Sequence, residues 1–140
     1  MRKMKMISTK SNDGYEVTND TGEMIFKCDE SKSAGGSGQY PRPTDYLLGA
    51  LGSCLNITIR SMAKREGFEV KQLKIIITGD VELAGIFNPN IRNGFYNLKL
   101  KIEMDSNIPS EKKEEFLQKC MTACPVHETI ENATDIKWDY

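Results

Sequence analysis

The sequence predicts an α+β domain: a curved antiparallel sheet of about six strands around one long central helix. Three observations carry this. Segments that alternate polar and apolar residues come first, then a long run with helical spacing, then alternating segments, helical segments and a last alternating one. The helical run, from Pro43 to about Glu66, is the longest and most apolar stretch of the chain. The chain has 140 residues without internal repeats, a length that suits a single domain over residues 1–140.

The N-terminal part is expected to be an antiparallel meander. Lys3 to about Thr9 forms a first strand, Gly14 to Thr18 a second and Glu23 to Cys28 a third. Asn19-Asp20-Thr21-Gly22 supplies the turn chemistry between the last two. Ser31 to Gly38 is glycine- and serine-rich and is expected to be a flexible connection. Its glycines lack the Lys-Ser/Thr partner and the strand-to-helix setting that a phosphate-binding loop requires.

The central helix opens at Pro43, whose fixed φ and missing N–H suit a first helical position. Thr44 and Asp45 place an oxygen acceptor and a negative charge beside the unpaired first-turn N–H groups. Leu47, Leu51, Cys54, Thr58 and Met62 recur at spacings of three and four, with Leu48 and Leu55 widening that face. Gly49, Ala50, Gly52 and Ser53 crowd the same turns, although glycine costs a helix roughly 1 kcal/mol against alanine. That cost is tolerated where another backbone comes close. One sheet covers one face, and the small-residue face then needs either a second copy of the helix, making a dimer, or the later helices of the same chain.

Gly67 is the expected helix stop. Leu73, Ile75, Ile77, Val81 and Leu83 alternate in a strand, and Leu98, Leu100, Ile102 and Met104 alternate in its return. Ala84 to Gly94, with Asn88-Pro89-Asn90 and Asn93-Gly94, is the loop between them. Pro109-Ser110-Glu111 opens a second helix with Phe116, Leu117, Cys120 and Met121 inward. Cys124-Pro125 interrupts it and begins a short third helix to about Asn132, and Ile136, Trp138 and Tyr140 alternate in a last strand.

Bulk composition narrows the function. Nineteen basic residues stand against twenty acidic ones. A general binder of nucleic acid or anionic membrane would show a basic excess, so neither partner is expected. The first residues carry charge with no apolar run behind them, and no stretch is long enough to span a bilayer. Four unevenly spaced cysteines without an export signal point to reduced thiols and a cytoplasmic protein.

The run Pro41-Arg42-Pro43-Thr44-Asp45-Tyr46-Leu47-Leu48-Gly49-Ala50-Leu51-Gly52-Ser53-Cys54-Leu55, followed later by Cys124-Pro125-Val126-His127-Glu128-Thr129-Ile130, resembles the OsmC/Ohr superfamily of osmotically inducible and organic hydroperoxide resistance proteins. The order of elements agrees over nearly the whole length. The resemblance implies an OsmC-like fold, an intertwined homodimer and thiol-based reduction of organic hydroperoxides, recycled by an external dithiol without a cofactor. It implies Cys54 as the attacking thiol and Cys124 as the resolving one. In the peroxidase branch it further implies an arginine from the N-terminal strands paired with a glutamate at the start of the central helix. Here Thr44 holds that glutamate position, Asp45 follows it, and Arg42 is the nearest arginine apart from Arg2.

The residues themselves leave the order of the two cysteines open. A thiolate attacks the O–O bond of a peroxide to leave a sulfenic acid, which a second thiol converts to a disulfide. Cys54 lies about ten residues into its helix, so ~15 Å from the end where the dipole acts. Cys124 stands directly before Pro125 at a helix start, where thiolate is favoured. Leu47, Leu51, Met62, Ile86 and Phe87 are candidates for apolar walls, since an alkyl peroxide favours an apolar pocket. His127 is a supporting candidate beside Cys124, or a helix cap. Cys120-x3-Cys124-x2-His127 also raises a metal site, but a closed zinc site needs a fourth ligand and tighter pairs, so no metal is expected. Cys120 and Cys28 are expected as apolar filler. A different class of function stays open: a non-catalytic dimer that binds a small apolar or thiol-reactive ligand near Cys54.

Overall fold

A computed structural model describes Met1 and residues 6–140. The expected strand start at Lys3, and Arg2, lie outside the described residues. The chain divides into two compact units, Met1–Gly49 and Ala50–Tyr140.

In the first unit, β1 (Ser8–Lys10), β2 (Val17–Asp20) and β3 (Ile25–Cys28) form a three-stranded antiparallel meander. Thr9 pairs with Asn19, and Val17 with Cys28. The turn lies later than the sequence suggests, because Asn19 and Asp20 belong to β2. The buried Asn19 amide donates to the Cys28 sulfur and to the Phe26 carbonyl, each at 3.4 Å, which rewards keeping it in the strand. Asp20 Oδ1 accepts the Gly22 N–H at 2.7 Å, and Thr21 Oγ1 accepts that of Met24 at 3.0 Å, closing the turn.

The Ser31–Gly38 segment is more than a flexible connection. It folds around Asp29, whose relative exposure is only 2%. The Asp29 carboxylate accepts the backbone N–H of Glu30 at 2.7 Å, that of Ser37 at 3.0 Å, and the Ser37 hydroxyl. The Ser37 hydroxyl, then the Glu30 N–H, holds this carboxyl below its usual range. Gly36 fits because a Cβ there would stand 2.1 Å from the Glu30 carbonyl oxygen. Tyr46, in the first turn of the next helix, donates its hydroxyl to the Lys27 carbonyl at 2.8 Å and sets its ring 5.2 Å from that of Phe26.

The central helix α1 spans Pro43–Glu66, as expected. Asp45 secures its start by accepting the Arg42 N–H at 3.0 Å, as the third residue of a capping box does. Its end at Gly67, φ 80°, is marked by the Phe68 N–H bonding the Ala63 carbonyl at 2.8 Å.

In the second unit, β4 (Val70–Val81) and β5 (Phe95–Ser106) make a long antiparallel ribbon. Helix α2 spans Ser110–Ala123 and α3 spans Pro125–Glu131. Along the ribbon, Arg60 donates to the Val70 carbonyl at 2.9 Å and Asn56 to the Leu73 carbonyl at 3.2 Å. At Gly52 a Cβ would lie 2.9 Å from Ile77 Cδ1, the end of a side chain, and at Gly49 it would meet nothing within 4 Å, so the backbone approach expected at these glycines does not occur among the described residues of the chain. The core is Leu55, Ile59, Ala63, Ile108, Phe116, Cys120 and Cys124, with residues of both ribbon strands packed around it. Phe68 meets Phe116 edge to face at 5.9 Å.

Several expectations change. The described residues form two sheets, of three and two strands, in place of one sheet of about six. Ile136, Trp138 and Tyr140 lie in no strand and are exposed. Alternation makes a segment competent to pair, but a strand exists only where a neighbour takes it in register, and none of the described strands pairs with this segment. β5 starts at Phe95, earlier than the alternation from Leu98 suggests, because a bulge opposite Thr78–Asp80 breaks the period. Asn97 takes φ 50° there and donates to Asp80 Oδ2 at 3.0 Å. Leu83–Ile86 is a 3-10 turn, begun by Glu82 accepting the Ala84 N–H at 3.0 Å.

Candidate active site

Cys54 and Cys124 are brought together although seventy positions separate them in the sequence. The line of α1 that enters the core is Leu51, Leu55, Ile59 and Ala63, one step round from the line through Cys54 and Met62. Cys54 therefore stands at the margin of the core, partly exposed, and packs against the cluster that contains Cys124. Its carbonyl accepts the Thr58 hydroxyl at 2.8 Å. Leu55, Ile59 and Ala63, repeating every four residues, were the available signal for this rotation. The polar Thr58 on the competing line was another.

Cys124 occupies the joint between α2 and α3. Its backbone is extended, with φ −84° and ψ 109°, because Pro125 excludes the helical conformation from the residue before it. Its N–H ends α2 on the Met121 carbonyl at 3.2 Å. Its sulfur begins α3 by accepting the His127 N–H at 3.5 Å. The residue is fully buried.

Burial, the largest effect, pushes the Cys124 thiol up, while the His127 N–H pulls it down. Cys54 raises it further, both as a side-chain hydrogen-bonding neighbour and through its charge. The two thiols are thus neighbours at the edge of one cluster, and both are free. A thiol this near disfavours the ionisation of Cys124, and the two sulfurs are poised to share a bond once one is oxidised. The buried Cys120 thiol is pushed up to about 11, by desolvation first and by the Glu66 charge second. That environment makes it inert filler.

The other sequence candidates are less concentrated. Arg42 and Asp45 form an exposed two-point ion pair, Nε to Oδ2 at 3.1 Å and Nη2 to Oδ1 at 3.0 Å. The Arg42 side chain is the main reason the Asp45 carboxyl is lowered. Thr44 is exposed beside them. All three belong to the first unit, and Cys54 and Cys124 to the second. His127 touches the site through its backbone, while its ring lies 3.7 Å from Glu131 at Nδ1. Of the proposed apolar walls, Met62 packs on the thiol-containing cluster and Leu51 is buried, whereas Leu47, Ile86 and Phe87 are exposed. Among the described residues, no three His, Cys, Asp or Glu side chains converge on a metal position. No helix among them is long and apolar enough to cross a membrane.

The model of the OsmC family, described as OsmC-like protein, matches residues 36–139. The chain belongs to the OsmC family. Its fold resembles that of an OsmC-like protein from Mycoplasma pneumoniae, with TM-score 0.80 and 22% identity over 94% of this chain and 89% of that one. An organic hydroperoxide resistance protein from Elizabethkingia anophelis, crystallised with thiocyanate bound, gives TM-score 0.60 and 17% identity over 91% and 89%. One from Legionella pneumophila gives 0.61 and 14% over 92% and 91%. At these identities the OsmC-family likeness to solved structures is one of fold. No curated protein matches the chain.

Proposed function

We propose that this OsmC-family protein reduces organic hydroperoxides with two cysteines, as a single-domain cytoplasmic homodimer. The observation that carries the reading is that a partly exposed Cys54 packs against the cluster holding a buried Cys124 and acts on its thiol. The Cys54 thiolate attacks the terminal oxygen of ROOH, the O–O bond breaks, and ROH leaves after taking a proton. Cys54 is then a sulfenic acid. The Cys124 sulfur displaces its hydroxyl as water, forming the Cys54–Cys124 disulfide. An external dithiol returns both sulfurs to thiols and becomes a cyclic or linear disulfide itself.

The division of roles follows access. Peroxide has access to the partly exposed Cys54, whereas the buried Cys124 thiol with its raised pKa is the poorer first nucleophile and well placed to close on an oxidised neighbour. The organic hydroperoxide resistance proteins among the structural relatives support a role towards hydroperoxides.

A second reading is favoured by one observation. The helix start offers Thr44 where the peroxidase branch is expected to hold a carboxylate, and Asp45 is engaged with Arg42. In that reading the OsmC-like dimer binds a small apolar or thiol-reactive ligand without turnover. Intact-mass measurement after cumene hydroperoxide treatment separates the two. Fast loss of two hydrogens, abolished in Cys54→Ser, is expected for the peroxidase. Slow, unselective oxygen addition indicates the binding protein, and a loss that persists in Cys54→Ser reverses the cysteine roles.

A further inference from the structure

The two cysteines differ in exposure, and that difference determines how an oxidised pair is reopened. Cys124 has no accessible surface, while Cys54 stands partly exposed at the margin of the core. Thiol–disulfide exchange requires the incoming thiolate to approach the attacked sulfur from behind the S–S bond, so access decides which sulfur is attacked. Resting on the two-cysteine reading above, we propose that the reductant bonds to Cys54, and that Cys124 departs as a thiolate beside the His127 N–H.

The exchange balances in two steps. A reductant thiolate forms a bond to Cys54 Sγ while the Cys54–Cys124 bond breaks, and its electron pair goes to Cys124 Sγ. The reductant's second thiol, deprotonated, then attacks the reductant sulfur now on Cys54. That step releases Cys54 as thiolate and leaves the reductant as a disulfide. The two protons lost by the dithiol end on Cys54 and Cys124.

One effect opposes this direction. Burial makes Cys124 a reluctant anion and hence a slower leaving group. Two features answer it. The His127 N–H lies 3.5 Å from the sulfur, and the Val126 N–H also favours its charged form. Acidity changes exchange rates gradually, whereas a sulfur without accessible surface cannot be approached until the fold opens. Access therefore prevails over leaving-group quality.

The test uses the wild-type chain. Diamide links the pair without any peroxide, so the outcome is independent of whether hydroperoxide is a substrate. The disulfide form is exposed briefly to glutathione, quenched with N-ethylmaleimide in denaturant, and mapped by peptide mass spectrometry. Glutathione on Cys54 with maleimide on Cys124 is expected to exceed the reverse pattern by about tenfold. Glutathione on Cys124, or an even division, overturns the proposal while leaving the peroxidase reading intact. Failure of diamide to link the pair defeats both, and linkage by diamide but not by hydroperoxide defeats only the peroxidase reading.

Discussion

The two units bury different things. Among the described residues of Met1–Gly49 the buried ones are Cys28, Asn19 and Asp29, two of the three polar. In Ala50–Tyr140 they are Leu51, Leu55, Ile59, Ala63, Ile108, Phe116, Cys120 and Cys124, all apolar or thiol. The first unit is shaped by directed hydrogen bonds, which depend on atoms standing in particular places. The second is shaped by apolar packing, which depends on volume and excludes water. The consequence for chemistry is direct. Polar closure holds the Asp29 carboxyl charged, while apolar closure holds the Cys120 and Cys124 thiols neutral.

The largest break of this contrast is expected in the apolar unit. Phe116 is 2% exposed and sits in the cluster with Cys120 and Cys124. Phe116→Ala should cost about 3–5 kcal/mol, the usual range for emptying an aromatic site, read from the urea midpoint. A cost below about 1 kcal/mol would mean that the cluster relaxes freely and does not hold the thiols in place.

A smaller and more local loss is expected in the polar unit. Gly36→Ala drives a methyl onto the Glu30 carbonyl and the Asp29 carboxylate, so the loop must open. A cost of about 1–3 kcal/mol is expected, with faster hydrogen exchange at the Glu30 and Ser37 amides. Gly49→Ala is the control, since its Cβ meets nothing within 4 Å and alanine favours the helix. Equal losses at both positions would show that the Asp29 closure has no special tightness.

How far the sequence disclosed these two units follows the same contrast. Periodicity reports apolar packing, so α1, the β4–β5 ribbon, the Phe116 and Cys120 stripe and the break at Cys124-Pro125 were all legible. Within α1 the error was rotational: adjacent helical lines through Cys54 and Leu55 are both apolar, and choosing between them takes a packing partner. Polar closure has no period. Nothing in Asp29-Glu30-Ser31 announces a carboxylate that will gather a serine eight residues later, and the segment reads as a bare connection. The proximity of Cys54 and Cys124 came through family likeness, because their separation along the chain carries no signal of contact. Ile136, Trp138 and Tyr140 show the opposite limit, a clear alternation without a strand.

The gentlest probe of the contrast is pH, since the two units should fail at opposite ends. Asp29 ionises more readily in the fold than at its ordinary 3.8. Its contribution is thus complete above that value and declines as pH falls through the lower folded one. Cys120 ionises less readily, about 11 against 9.0, so its contribution is complete below pH 9.0 and declines as pH rises towards 11. Urea midpoints of the wild type should therefore fall at both extremes. Asp29→Asn should flatten the acid arm alone, and Cys120→Ala the alkaline arm alone. If either substitution flattened the opposite arm, the separation into a hydrogen-bonded unit and a desolvated one would be wrong. Cys124 sharpens the alkaline arm further: its thiol is raised by the same burial and by Cys54, so oxidising the pair to a disulfide removes that ionisation. The disulfide form should then resist alkali better than the dithiol form, with the acid arm unchanged.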